Sequence, residues 1–264
     1  MKRIIAYILA AVTAGCLLAS CRESVPAVSD GFGRVPGESY NESSNTPATD
    51  GVKDDRITVC VDPGHGFGDV GTTSAYLGEW AEKDVTFSIA TMLKEELEAR
   101  GYRVHMLHDG VTIPENANAD ENNLFRPKER IESIRDADID YYVSIHCDAY
   151  AADESVMGTR VYYANGTSFT KKSKSAASEI KNAINDLLPD AKPTRVIDKS
   201  YEEAYYVIRE APAPSSLIEV GFVTNPSDAE NMLDEAWRRA IAQGIAAGID
   251  HADDRTSGTN KQAY

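Results

Sequence analysis

Basic residues are scarce in this 264-residue chain: 27 Lys and Arg stand against 42 Asp and Glu, a formal net charge of -15. A field of that sign repels phosphate backbones and anionic headgroups, so nucleic acid is excluded as a natural partner. Cysteine is scarcer still, with four in all, and two of these, Cys16 and Cys21, lie in the N-terminal segment. Only Cys60 and Cys147 remain to pair, which is too few for a disulfide framework, and they read as buried free thiols. The apolar run Ile4–Leu18 is shorter than a membrane span requires. The oxygen-rich run from Asn116 to Asn123 lacks the glycine and closing glutamate of a calcium loop, so it reads as a solvated loop. No internal repeat and no second domain of wall-binding type are visible in the sequence given.

The N-terminus carries an export pattern. Lys2 and Arg3 precede the apolar run, and Leu18-Ala19-Ser20-Cys21 closes it with small residues. That tetrapeptide resembles the lipobox of bacterial lipoproteins, which implies removal of residues 1–20, lipidation of Cys21 and anchoring to the outer side of a membrane. From residue 21 to 55 the chain is rich in Ser, Gly, Pro, Asn and Glu with no sustained apolar period, the composition of a tether.

A single α/β domain is expected over residues 56–252, with a twisted, mostly parallel sheet of about six strands and helices on both faces. Arg56 to Asp62 is apolar and β-branched, a strand. Val85, Ile89, Leu93 and Leu97 recur every four residues as a helical stripe, stopped by Gly101. Further strands are expected at 102–107, 139–146, 158–163, 205–209 and 215–220. Helices are expected at 126–137, around Ile180, Ile184, Leu187 and Leu188, from the Asn225-Pro226 cap to Leu233, and along Trp237, Ile241, Ile245 and Ile249. Residues 253–264 carry no apolar period and are expected to fray.

Three polar clusters interrupt strand ends, where open α/β sheets place their sites: Asp62-Pro63-Gly64-His65-Gly66, Ser144-Ile145-His146 and Ile218-Glu219-Val220-Gly221-Phe222. Two histidines and a carboxylate are a usual shell for catalytic zinc, with a fourth position left for water. The carboxylate belongs near the start of the first helix, where Glu79 and Glu82 are both candidates. Glu219 sits between Ile218 and Val220 inside an apolar strand, where an unpaired acid is costly to bury and needs a reason. His105, His108 and His251 lack such a context and read as surface or packing residues.

Four blocks in order, Val61-Asp62-Pro63-Gly64-His65-Gly66, Glu82-Lys83-Asp84, Val143-Ser144-Ile145-His146 and Ile218-Glu219-Val220-Gly221-Phe222 with Asn225, resemble the zinc N-acetylmuramoyl-L-alanine amidases. The resemblance covers roughly residues 56–250. It implies that His65, Glu82 and His146 hold zinc, that Glu219 is the catalytic carboxylate, and that Arg130 and Asn225 contact substrate. It also implies the reaction, hydrolysis of the amide joining N-acetylmuramic acid to L-alanine in peptidoglycan. Phe67, His108, Arg135 and Asp148 depart from the family's usual residues, which touches substrate preference more than activity. Some relatives carry a long insertion after the second histidine that an activator must displace. Here only Cys147 to Met157 intervenes, so an open site with no obligatory activator is expected. The rival readings are a binding protein that has lost catalysis, against which the full set of ligands and Glu219 argues, and a zinc amidase acting on another amide.

Overall fold

The computed structural model describes residues 55–110, 112–114 and 124–257, with side chains described through residue 253. The lipobox, Cys21, the tether up to residue 54, the run Asn116–Asn123 and residues 258–264 lie outside the described residues.

Strand β1 (Thr58–Pro63) is buried at every position, as its unbroken apolar run requires of a strand covered on both faces. It is followed by α1 (Glu82–Ala99), β2 (Arg103–Met106), α2 (Pro127–Ser133), β3 (Tyr141–Asp148), β4 (Arg160–Ala164), α3 (Thr170–Leu187), β5 (Arg195–Lys199), α4 (Tyr206–Arg209), β6 (Ser215–Phe222), α5 (Pro226–Leu233) and α6 (Glu235–Ser257). The six strands form one sheet in the order β2-β1-β3-β6-β4-β5. Every pairing is parallel except β4 with β6, where the chain reverses direction.

Alternation along the strands divides the core in two. Val59, Val61, Val143, Ile145, Ile218 and Val220 face the layer of α1, α3 and α6. Cys60, Tyr142 and Leu217 face the other way, toward the residues of α2 and α4. The helical stripe Val85, Ile89, Leu93 and Leu97 is fully buried, and each such side chain contributes about 1.5–3 kcal/mol relative to exposure. Helices α3 and α6 approach closely because Gly248 has no side chain: a Cβ there would lie 2.3 Å from the backbone of Ile180. Cys60 and Cys147 are free and point to opposite faces of the sheet, which keeps them from bonding.

Three expected elements differ. Residues 205–209 form one helical turn, α4, not a strand; Val207 and Ile208 are buried in the α2 side of the core, and β5 takes the sheet edge instead. Leu187, placed in the core by its spacing, is 45% exposed because the α3 stripe narrows to Ile180 and Ile184 at its end. Helix α6 continues through Ser257, so the start of the expected frayed tail is helical. Among the described residues no helix is long and apolar enough to cross a membrane.

Candidate metal centre and catalytic cleft

The C-terminal ends of β1, β3 and β6 lie side by side, and register does the gathering. Asp62 pairs with Ser144, Pro63 with Ile145, and His146 with Glu219. Asp62, Ser144, His146 and Glu219 therefore share one face of the sheet, while the turn after Pro63 carries His65 over the same edge. Glu82 arrives from outside the sheet as the first residue of α1, where the helix N-terminus favours a negative charge.

The resulting geometry converges on one oxygen. His65 Nε2 and His146 Nδ1 each lie 3.1 Å from Glu82 Oε1, which also accepts the Cys147 backbone N–H at 2.8 Å. Glu82 Oε2 accepts the Thr72 N–H at 2.8 Å, so the carboxylate, 2% exposed, is held at both ends. Ligand atoms of His65, Glu82 and His146 all lie within 4.8 Å of one another. Two imidazoles and one carboxylate suit a divalent cation of borderline softness, and three protein ligands leave a position open. The fit is also steric: a Cβ on Gly64 would come within 2.4 Å of the His146 ring, so only glycine lets the turn pack against that ligand.

Charge follows geometry. Burial works against the imidazolium of His65, but Glu82 and Asp69 outweigh it and raise its pKa to about 9. Burial likewise opposes ionisation of Glu82 and is overcome by His146 and His65, which hold its carboxyl well below the usual range. Glu219 behaves in the opposite sense. It is 6% exposed, its Oε2 is buried without a hydrogen-bond partner, and burial, reinforced by Asp148 and Glu82, raises its pKa to about 8 against the pull of His65 and Arg160.

His65, His146 and Glu219 form the polar wall of a cleft of about 140 Å³, faced by Phe125, Tyr205 and Tyr206. His65 and His146 keep 23% and 22% of their side-chain surface exposed, so the ligands are reachable. The structure thus brings together all four residues that the sequence placed in the chemistry. Glu79, the rival carboxylate, is not among the grouped ligands.

Asn225 and Arg130 both make contacts within the fold, and Arg130 also borders the cleft. Asn225, 6% exposed, caps α5 by accepting the N–H groups of Ser227 and Asp228, and its amide donates to Glu154 O at 2.7 Å. Arg130 is 4% exposed and donates to Asp62, Pro63 O, His65 O and Phe125 O, so it lies beneath the His65 turn. His108 is a buried packing residue, as expected: its Nε2 meets Pro63 O at 2.9 Å and its Nδ1 accepts Gly110 N–H at 3.1 Å, which fixes a neutral ring. Asp148 pairs with Arg160 at 3.1 Å beside Glu219.

Sequence reasoning missed Asp69, whose Oδ2 meets His65 Nδ1 at 2.9 Å. Carboxylates that bond the far nitrogen of a ligating histidine fix its tautomer and raise its basicity. An acid four residues beyond a candidate ligand, across a glycine-rich turn, is the signal that could have found it. The aromatic wall was missed because residues 205–209 read as a strand.

Comparison with known proteins agrees with this geometry. The sequence profile described as N-acetylmuramoyl-L-alanine amidase matches residues 59–251. The chain belongs to this amidase family. A probable cell wall amidase, LytH of Staphylococcus epidermidis, is 27% identical over 215 residues, covering 80% of this chain and 64% of that protein. The N-acetylmuramoyl-L-alanine amidase AmiC of Neisseria meningitidis is 29% identical over 231 residues, covering 74% of this chain and 52% of its own length. This chain therefore spans less than two thirds of either relative. Among solved structures, the amidase AmiC2 of Nostoc punctiforme superposes with a TM-score of 0.60 at 26% identity, covering 74% of this chain and 96% of that one. The amidase fold is thus shared.

Proposed function

We propose that the chain is a zinc-dependent hydrolase that cuts the amide between N-acetylmuramic acid and L-alanine in peptidoglycan. The observation that carries this reading is the convergence of His65 Nε2 and His146 Nδ1 on Glu82 Oε1, with Glu219 on the register position beside His146. When bound, zinc supplies a Lewis acid for the amide carbonyl and for water. Glu219, as the carboxylate that a nearby cation favours, takes a proton from the attacking water at its unpartnered Oε2 and returns it to the leaving amine nitrogen. Asp69 holds the tautomer of His65 that presents Nε2 to the ligand position. The aromatic wall of Phe125, Tyr205 and Tyr206 excludes water from the far side of the cleft and offers apolar surface to the substrate.

The wall as substrate rests on family membership and on relatives described as cell wall amidases. Export and anchoring through Cys21 are inferred from the lipobox pattern, and they would hold the enzyme on the outer face of a membrane, beside its substrate. Action without an obligatory activator rests on the short β3–β4 connection and on the exposure of both histidines. The test is mass spectrometry of material released from purified peptidoglycan by residues 22–264 with zinc, with chelator and with Glu219→Ala. Stem peptides with a free L-alanine amine should appear only with zinc and intact Glu219. Their absence from a zinc-loaded, folded protein would refute the reaction.

A further inference from the structure

We propose that Arg130 is a positioning residue for the metal centre, fixing the backbone of the His65 turn so that the imidazole faces Glu82. The proposal rests on the zinc reading above only in naming the cation. His65 has φ 64° and Phe67 φ 56°, so two residues with side chains sit in the left-handed region within one turn. Such a conformation persists only where surrounding contacts over-determine it.

Those contacts meet at Arg130. Its Nε donates to Phe125 O at 2.9 Å, one terminal nitrogen donates to Asp62 and to Pro63 O at 2.8 Å, and the other donates to the carbonyl of His65 itself. Asp62, fully buried, is oriented in turn by Tyr142 Oη and by Ser144 Oγ at 3.0 Å. Arg130 therefore ties the carbonyl of a ligand residue to the buried ends of β1 and β3. With that carbonyl released, the His65 backbone can relax toward the ordinary regions, which swings its Cβ and turns the ring away from Glu82.

Arg130 borders the cleft, but its donors are turned toward the protein. The Arg130 charge is compensated by Asp62, the residue is 4% exposed, and four of its N–H donors are committed inside the protein. The planar fork is what spans four separated acceptors, and a lysine ammonium, with donors radiating from one point, cannot reach them together.

The experiment compares wild type, Arg130→Lys and Asp62→Asn by zinc affinity in competition with a chromogenic chelator and by the visible spectrum of the cobalt(II)-loaded protein. Cooperative thermal unfolding is recorded for each. Both variants are expected to fold, to bind zinc about 10–100-fold more weakly, as loss of supporting partners to metal ligands typically does, and to show an altered cobalt spectrum. Wild-type zinc affinity and spectrum in a folded Arg130→Lys, with only KM for substrate raised, would overturn the proposal and return Arg130 to substrate binding. Loss of folding in both variants would overturn it too, making the pair an element of general stability. Failure of the wild-type protein to bind zinc or cobalt would overturn both this proposal and the zinc reading, and that arm reports it separately.

Discussion

Replacing Glu219 with glutamine should stabilise the metal-free protein, and only above the pH at which the carboxyl is made to ionise. In the folded chain its pKa is raised from 4.5 to about 8, chiefly by burial and then by Asp148 and Glu82. An acid with a raised folded pKa favours the folded state fully below its unfolded pKa. That advantage is lost as pH climbs from 4.5 toward 8 and stays lost above it. At about 1.4 kcal/mol per pKa unit, the full shift sets a ceiling of roughly 4–5 kcal/mol, and partial solvation of the charge brings the working figure to about 3 kcal/mol. For a domain of this size that corresponds to roughly 6–12 °C in Tm. Thermal unfolding of wild type and Glu219→Gln in chelator should give curves whose separation opens between about pH 5 and pH 8 and then levels off. Any constant offset reports the unsatisfied amide of the new side chain and does not change with pH. A separation of the same size at both ends of that range would refute the argument. Zinc should shrink the effect, because a nearby cation favours the carboxylate.

Other consequences are open to test. Zinc at a hundredfold excess over its dissociation constant should stabilise the wild type by about 2.7 kcal/mol, and His146→Ala should abolish this rise in Tm; an unchanged rise would place the ion elsewhere. Asp69→Asn should weaken zinc binding about 10–100-fold while the fold survives, as measured by chelator competition; wild-type affinity would deny the His65–Asp69 contact its role. Gly64→Ala should destabilise the protein by several kcal/mol, on the order of an overpacked core, since its methyl meets the His146 ring; a neutral result in chemical denaturation would contradict the packing. Cys21→Ser should move the protein from membrane to soluble fractions and leave hydrolysis of soluble muropeptides unchanged, and parallel loss of both would exclude a purely anchoring role.

Much of this architecture was legible because burial and periodicity coincide. The stripe of Val85, Ile89, Leu93 and Leu97 is fully buried, and the Asn225-Pro226 signal does start a helix. Where local preference and tertiary demand part, the reading fails. Tyr205 to Arg209 is rich in β-forming residues, yet the sheet edge is filled by Arg195–Lys199, a five-residue strand with only Val196 and Ile197 to announce it. His65, His146 and Glu219 stood out because polar groups at apolar strand ends are rare, whereas Glu82 was separated from Glu79 only by the family resemblance. The contacts that Arg130 and Asn225 make within the fold were not legible, since motif position cannot say which partners a polar side chain meets. Only the fold decides that.

The chain enters β1 at the edge of the sheet opposite the cleft, and α6 brings it back to that edge. Tyr102 Oη reaches Asp250 at 3.0 Å, and Ile57, Ile249 and Ala252 border one hollow there. Both ends of the described chain thus leave from a single pole, with the ligands at the other. A label, a bead or an affinity handle attached at Asp55 would present the cleft outward, like a tool gripped by its handle. A protein immobilised in that way should keep its mouth free to meet a substrate as large and as stiff as a sacculus.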